Sequence, residues 1–336
     1  MKKTFRLVSL FWMCMLLLVL SACGGTKQTT TGQQNPTQAN PQTDASGGSK
    51  KPRFAVVLKQ LNTDYWRIVM KGAKDAAAMY GADVEFLGPA AETQYEEQIR
   101  MIEDQIVRKV DGLLVAPNQP DATLPVFKKA KDAGIPVILL DTDAKFEDKV
   151  SFIGTGNFKA GELAGKFIAD KLSNGDKVAI IRGTTGNQTH NDREDGFKKA
   201  LESKNLKYIV QDAQCDRAKS VSVMEDIATA NPDLKAVFAT CDESALGVLK
   251  ALEGAGKNNI PVIGFDGTPN GLEALKAGKL VAEVAQDPYM IGYLGVQTAV
   301  KVTKGEQVEK RIDSGAKLIT QDNVEEEMKK IADYLE

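Results

Sequence analysis

Two carboxylates stand at matching places in this chain. Ile135-Pro-Val-Ile-Leu-Leu-Asp141 is an apolar run of strand length that ends on an acid. Ile260-Pro-Val-Ile-Gly-Phe-Asp266 repeats the phrase 125 residues later (266 − 141). A carboxylate at the carboxyl end of a buried parallel strand points into the crevice where open α/β sheets take ligands. Arg193 stands at a predicted helix start just past the Gly183-to-Asn191 loop, Tyr65 and Trp66 open the first predicted helix, and Gln286 ends a predicted strand. Together these residue types suit polyol recognition. Ionised carboxylates accept hydrogen bonds from vicinal hydroxyls, and Arg donates in a fixed fork. Aromatic faces cover the C–H face of a sugar ring. Hydrogen bonds to charged groups contribute about 1.5–3 kcal/mol each, so a few of them support roughly micromolar binding, near 8 kcal/mol. Taken singly, Asp141 and Asp266 have a plainer reading as helix caps, and Tyr65 and Trp66 as helix-start packing.

Other chemistries find little support. There is one histidine, His190, so a multi-His metal site is excluded, and its place beside Asp192 predicts a surface or cleft-rim residue. No G-x-G-x-x-G follows a predicted strand, and no P-loop or G-x-S-x-G elbow is present. Gly183-Thr-Thr-Gly186 has only two glycines for a phosphate cradle. No nucleophile–base pair is visible, so no enzyme activity, metal or cofactor is expected. A net charge of −2 leaves no basic footprint for nucleic acid.

The elements that must position these residues alternate from Arg53 onward. Strands are predicted at 54–58, 84–87, 112–116 and 136–140, with helices at 66–80, 93–109 and 124–133 between them. The second half repeats the order, with strands at 178–181, 208–210, 236–239 and 261–265 and helices at 192–203, 218–230 and 244–253. Strands alternating with helices at this spacing mean βαβ units and parallel sheets. A short strand at 151–155 leads into a helix at 161–171. After Asp266 come a helix at 271–277, a strand at 280–286, a helix at 288–304, a strand at 315–319 and a helix at 324–335. The chain then crosses between the halves near Thr155, Gln286 and Gly315. The expected fold class is α/β: two flavodoxin-like (Rossmann-like) lobes with parallel sheets, joined by a three-strand hinge, with a ligand cleft between them. The lobes are expected to comprise residues 53–155 plus 287–315 and residues 156–286 plus 316–336.

What precedes the first lobe reads differently. Lys2, Lys3 and Arg6 followed by the apolar run Leu7 to Leu20 form a secretory signal peptide over residues 1–22. Residues 24–51 are rich in Gly, Thr, Gln, Asn, Pro and Ser and lack the apolar side chains to fold. Leu20-Ser-Ala-Cys23 resembles the bacterial lipobox, which implies cleavage before Cys23 and lipid on its sulfur. The mature chain would then be exported and held at the outer face of a membrane by a flexible linker over 23–51. Cys215 and Cys241 are the two cysteines left in the folded region, and their spacing decides nothing about pairing.

The folded region resembles the ribose/galactose-type periplasmic binding proteins, the substrate-binding components of sugar ABC transporters. The matching phrases are Leu61-Asn62 with Tyr65-Trp66, Gly134 to Asp141, Arg193-Glu-Asp-Gly-Phe197, Asp216-Arg217, Asn231-Pro-Asp233, Cys241-Asp-Glu-Ser-Ala-Leu-Gly247 and Val262 to Pro269. The resemblance implies lobes that close around one sugar. It places stacking aromatics at Tyr65 and Trp66, hydroxyl-binding carboxylates at Asp141 and Asp266, the Arg at Arg193 and the amide at Gln286. Several positions depart from the ribose-binding pattern: Thr142 stands for an Arg, Ala116 and Cys241 for Asn, Cys215 for an aromatic, Thr63 for an Asn, and Lys59 for a small residue. With Asn191 from the preceding loop, the full ligand-binding set is then Lys59, Thr63, Tyr65, Trp66, Asp141, Thr142, Asn191, Arg193, Cys215, Cys241, Asp266 and Gln286. These departures point away from ribose toward another monosaccharide, a cyclic polyol or another small polar ligand. Cys215 and Cys241 would line the pocket, either as free thiols or as a disulfide, with free thiols favoured because the strands before them need not be neighbours. The resemblance further implies a monomer that delivers its ligand to a membrane permease with a separate ATPase. A ligand-sensing module for a chemoreceptor or sensor kinase is the alternative.

Overall fold

Strands and helices alternate as the periodicity predicts. The computed structural model describes residues 50–336 apart from Thr185. The expected leader, Cys23 and nearly all of the expected linker lie outside the described residues. In chain order the first half runs β1 (Arg53–Val57), α1 (Asp64–Tyr80), β2 (Asp83–Leu87), α2 (Tyr95–Val107), β3 (Gly112–Val115), α3 (Pro120–Asp132), β4 (Val137–Leu140) and β5 (Ser151–Gly154). The second half runs α4 (Asn157–Ile168), β6 (Lys177–Arg182), α5 (Gln188–Ala200), β7 (Lys207–Asp212), α6 (Arg217–Ala230), β8 (Leu234–Ala239), α7 (Asp242–Gly254), β9 (Val262–Asp266), α8 (Pro269–Lys276) and β10 (Ala282–Gln286). The chain ends with α9 (Pro288–Thr303), β11 (Arg311–Asp313), β12 (Ala316–Ile319) and α10 (Val324–Leu335).

Two six-stranded sheets result, ordered β11-β5-β4-β3-β1-β2 and β12-β10-β9-β8-β6-β7. Leaving out the outermost β11 and β12, both follow the same doubly wound order, so β4 and β9 occupy equivalent places. Their registers explain the repeated phrase: β4 lies parallel between β3 and β5, and β9 parallel between β8 and β10. Strands covered on both faces read as continuous apolar runs, and β3, β4 and β5 are buried at every residue. Each sheet has an apolar cluster on each face, one side of the first packing Val56, Val69 and Leu140 and the other Val57, Phe127 and Leu139.

Close helix pairs brace each lobe. Helix α1 packs on α9, and α4 packs on α5. A Cβ on Gly72 would run into the Tyr289 carbonyl, and one on Gly292 into that of Val69. In the other lobe a Cβ on Gly161 would strike the Arg193 carbonyl, and one on Gly196 that of Phe158. Glycine is what lets these backbones touch.

The chain passes between the sheets at Thr155–Gly156, at Asp287 and at Ser314–Gly315. Two of these passages are tied together: Thr155 Oγ1 donates to the Gly315 carbonyl at 3.4 Å, and the Gly156 N–H donates to Asp313 Oδ1 at 3.1 Å.

Three local differences from the sequence reading bear on the site. Strand β11 is short and polar, so periodicity does not reveal it, and β12 joins its sheet antiparallel to β10. Helix α5 begins at Gln188, four residues earlier than predicted, because the Asn187 side chain caps it by accepting from the Thr189 N–H at 3.0 Å. That start converts His190 and Asn191 from loop residues into the first helical turn.

Candidate functional site

A cleft of about 570 Å³ opens between the carboxyl ends of the two sheets. The first lobe contributes Asn62, Thr63, Tyr65, Trp66, Glu92 and Asp141 to its walls, and the second contributes His190, Arg193, Cys215, Cys241, Asp242, Asp266 and Gln286.

Asp141 and Asp266 reach it from equivalent strand ends. Both carry positive φ, 60° and 118°. That region is uncommon for non-glycine residues, though Asp tolerates it better than most, and such strain gathers at functional sites. Neither angle is visible in a sequence pattern.

Asp141 is buried and densely partnered. Tyr65 donates its hydroxyl to Oδ1 at 2.7 Å, Thr142 Oγ1 donates to Oδ2 at 2.8 Å, and Lys59 Nζ lies 3.3 Å from Oδ2. Burial pushes this carboxyl upward. Lys59 first, then Arg193, Tyr65 and Thr142, outweigh that and hold it below its ordinary range. Burial, then the negative charges of Asp141 and Asp266, push the Tyr65 phenol well up, so it stays a donor. Tyr65 and Trp66 meet edge to face at 5.0 Å between ring centroids.

In the second lobe Arg193 is fixed on several sides. Nε donates to Asn157 Oδ1 at 2.8 Å, and Nη1 donates to the Thr240 carbonyl at 2.7 Å and to Asp266 Oδ1 at 3.4 Å. Its guanidinium lies 3.8 Å over the Phe265 ring. Gln286 Nε2 donates to Asp266 Oδ1 at 2.6 Å, and the Asp242 N–H to Oδ2 at 3.3 Å. Burial dominates at Asp266 and, with Asp242 and Asp141 adding to it against the pull of Arg193 and Gln286, raises that carboxyl to about 8.

Not every sequence candidate reaches the cleft. Lys59 stands behind Asp141 as its counter-ion, and Thr142 beneath it as a hydrogen-bond donor; neither lines the cleft. Thr142 Oγ1 also accepts from Thr189 Oγ1 at 3.3 Å, a bond from one lobe to the other. Asn191 is turned away by the early start of α5, and its Oδ1 accepts from Arg182 Nη1 at 3.2 Å.

His190 corrects the expectation of a surface or rim residue, because the same helix start buries its ring among the lining groups. The ring fits where Gly183 has no Cβ. Thr240 Oγ1 donates to the Ile181 carbonyl at 3.3 Å, so it accepts from His190 Nδ1 at 2.9 Å, which assigns the proton to Nδ1. Burial, then Arg193, Lys59 and Arg182, hold the ring well below its usual pKa and neutral. Nε2 is therefore an acceptor.

The two cysteines line the cleft, but as a disulfide, not as free thiols. Strands β7 and β8 are indeed not neighbours; β6 separates them. The chain beyond β7 runs along the end of β6, with Ala213 N–H donating to the Arg182 carbonyl and Gln214 N–H to that of Gly183. From the other side Thr240 N–H donates to the Ile181 carbonyl. The cysteines thus meet beyond the end of β6, with Gln214 and Cys215 at φ 59° and 49° making the turn. His190 Nε2 faces Cys215 Sγ at 3.7 Å, and a disulfide sulfur has no hydrogen to offer it.

Comparison with known proteins agrees with this architecture. Residues 54–307 match the model of the periplasmic binding protein domain. The ribose import binding protein of Salmonella typhimurium is 38% identical over 278 residues, covering 82% of this chain and 93% of the relative. That of Bacillus subtilis is 34% identical over 321 residues, covering 96% and 100%. An ABC transporter solute binding protein from Agrobacterium vitis, solved with bound D-fucose, superposes with a TM-score of 0.79 at 35% identity, covering 82% of this chain and 98% of that one. The chain belongs to the ribose/galactose-type periplasmic binding protein family.

Proposed function

We propose that this protein is the exported solute-binding component of an ABC importer and that it binds a monosaccharide or similar small polyol between its lobes. The observation that carries the reading is the facing pair Asp141 and Asp266, two carboxylates at equivalent strand ends of opposite lobes, each already oriented by fixed partners. The cleft volume lies within the range of small-molecule sites, about 300–1,000 Å³. The relatives are ribose import binding proteins, and a structural neighbour holds D-fucose.

In this reading Asp141, Asp266 and His190 Nε2 accept from ligand hydroxyls, Arg193 and Gln286 donate, and Tyr65 and Trp66 offer apolar ring surface. Thr63 lines the cleft, and the Cys215–Cys241 disulfide takes the wall where the ribose pattern has an aromatic ring and an amide. Lys59 and Thr142 act through Asp141, and Asn191 has no part. Residues 53–155 plus 287–315 close on 156–286 plus 316–336 by bending at the three passages. Contacts made to both lobes favour the closed population. The protein acts as a monomer, lipid-anchored through Cys23, and hands its ligand to a permease driven by a separate ATPase. It binds and does not catalyse.

A thermal-shift panel of D-ribose, D-allose, D-fucose, D-galactose, D-arabinose and myo-inositol tests this, followed by calorimetry on each hit. At least one member should bind at micromolar level or better, and D-ribose should not be the tightest. Failure of every sugar and polyol to bind would overturn the reading.

A further inference from the structure

Behind Asp266, the cleft-wall acid Asp242 is paired with a second acid, Glu283, that does not line the cleft. Glu283, the second residue of β10, is fully buried. Neither of its carboxyl oxygens has a hydrogen-bond partner, and neither has Asp242 Oδ1. Asp242 Oδ2, by contrast, accepts from the Thr268 N–H at 2.7 Å and from Thr268 Oγ1 at 2.6 Å. The two carboxyls converge on Gly271: a Cβ there would lie 2.5 Å from Asp242 Oδ2 and 2.7 Å from Glu283 Oε1. A Cβ on Gly264 would strike Glu283 Oε1 as well. Glycines on β9 and α8 therefore hollow out a cradle that two acids share.

Two buried carboxylates side by side, three of their four oxygens bare, would be a costly arrangement. One hydrogen partners two of the three and removes one of the charges. We propose that Glu283 is a carboxylic acid in the native protein, donating its hydrogen to Asp242 Oδ1, and that it acts as a positioning residue for the cleft carboxylate Asp266. The path is short. Asp242 holds Thr268, the N-cap of α8, whose Oγ1 accepts from the Gly271 N–H at 3.3 Å. The backbone N–H of Asp242 donates to Asp266 Oδ2. The proton on Glu283 keeps Asp242 in place and removes a negative charge from behind the ligand-facing acid.

The surroundings agree. Asp242 of α7 and Asp266 of β9 both face Glu283, and the Gly267 N–H approaches it without meeting hydrogen-bond geometry. From β12 the residue opposite is the apolar Ile319. Beyond them, Glu243 adds a further negative charge beside Asp242, and Arg193 and Gln286 face Asp266. The proton belongs on Glu283 because Asp242 and Asp266 each have donors and Glu283 has none. Burial first, then Asp242, raises Glu283 well above the ordinary carboxyl value.

The sign of the linkage follows. A carboxyl raised in the folded state leaves the fold most stable in acid. Stability is lost progressively as pH climbs from the unfolded value, about 4.3, toward the raised one. The test compares wild type with Glu283→Gln, whose amide can donate to the same oxygen. Infrared difference spectra of the ligand-free proteins at pH 7 should show a protonated-carboxyl C=O band in wild type that Glu283→Gln lacks. The unfolding midpoint of wild type should fall with rising pH across this range more steeply than that of the variant. The final arm rests on the sugar reading: for a hit from the panel, Glu283→Gln should stay within about threefold of wild type at pH 6 and lose less affinity by pH 9. Absence of the band, or parallel pH profiles, overturns the proposal. A band present while no sugar binds supports the proton and removes only the sugar reading. Should Glu283→Gln not fold, carboxyl ¹³C titration of wild type decides, the Glu283 signal staying protonated through pH 7 or not.

Discussion

Lys59 offers the sharpest test of how the site is held. Its ammonium lies 3.3 Å from Asp141 Oδ2, and both side chains are only 5% exposed. At an effective dielectric of about 20 the direct attraction at that distance is about 5 kcal/mol. Lys59→Met keeps most of the side-chain volume beside Trp66, whose ring centroid lies 5.9 Å from the ammonium, and removes only the charge. Asp141 then remains a buried carboxylate with two hydroxyl donors and no adjacent cation. Breaking a buried pair from one side costs about 3–5 kcal/mol. The retained bonds from Tyr65 and Thr142 place this case near the lower end, at about 3 kcal/mol. For a fold over residues 50–336, at about 2.1 cal/mol/K of unfolding entropy per residue, this lowers the thermal midpoint by roughly 5 °C. Scanning calorimetry and urea titration at pH 7 read it directly. The loss must also depend on pH. In wild type the depressed Asp141 contributes stability above its unfolded pKa, about 3.9, and that contribution disappears as pH falls through the folded value. Lys59→Met lacks it, so the gap between the two proteins should narrow in acid. The double variant Lys59→Met/Asp141→Asn should recover most of the loss. A deficit under about 1 kcal/mol at pH 7, unchanged as pH is taken below about 3, would show that Lys59 is not the counter-ion of Asp141.

Other outcomes follow from the same geometry. Measured at about pH 9, above the value of about 8 at which its carboxyl ionises, Asp266→Asn should weaken binding of a panel hit by about 10–100-fold, since hydrogen bonds to a charged acceptor carry about 1.5–3 kcal/mol; unchanged affinity by calorimetry would remove Asp266 from the ligand contacts. Gly161→Ala should cost about 1–3 kcal/mol through overpacking of α4 on α5 and also weaken ligand binding, because the clash falls on the backbone of Arg193; a variant as stable as wild type would contradict the close approach. The variant Cys215→Ser/Cys241→Ser should lose about 2–4 kcal/mol, the usual worth of a cross-link over a loop of this order. Two titratable thiols in the oxidised wild-type protein would refute the disulfide.

The residues that carried most information in the sequence were those whose pattern survives burial. A parallel strand covered on both faces is an unbroken apolar run, so a terminal acid such as Asp141 or Asp266 stands out, and its recurrence exposes the second lobe. Helix α5 shows the opposite case. One side-chain bond from Asn187 decides where it starts, and that start carries His190 into the cleft and Asn191 out of it. The disulfide was hidden because strand order says nothing about loops that bend over a strand end. Glu283 was hidden by its neighbours. Alternation in Leu280 to Gln286 suggests one exposed face, yet all of β10 is buried, since helices cover both sides and β9 and β12 flank it.

The three passages between the sheets have a consequence for how the molecule is made. Neither lobe is one continuous stretch. The first sheet takes its outer strand β11 from Arg311–Asp313, and α1 gains its partner α9 only from Pro288 onward. A chain emerging from its amino end cannot finish the first lobe until nearly all of the second has appeared. Gly72 and Gly292, which meet in that helix pair, are 220 residues apart (292 − 72). Vectorial emergence and domain-by-domain folding are therefore incompatible here: the halves mature together, and a truncation before α9 leaves the first lobe without both its helix partner and its sheet edge.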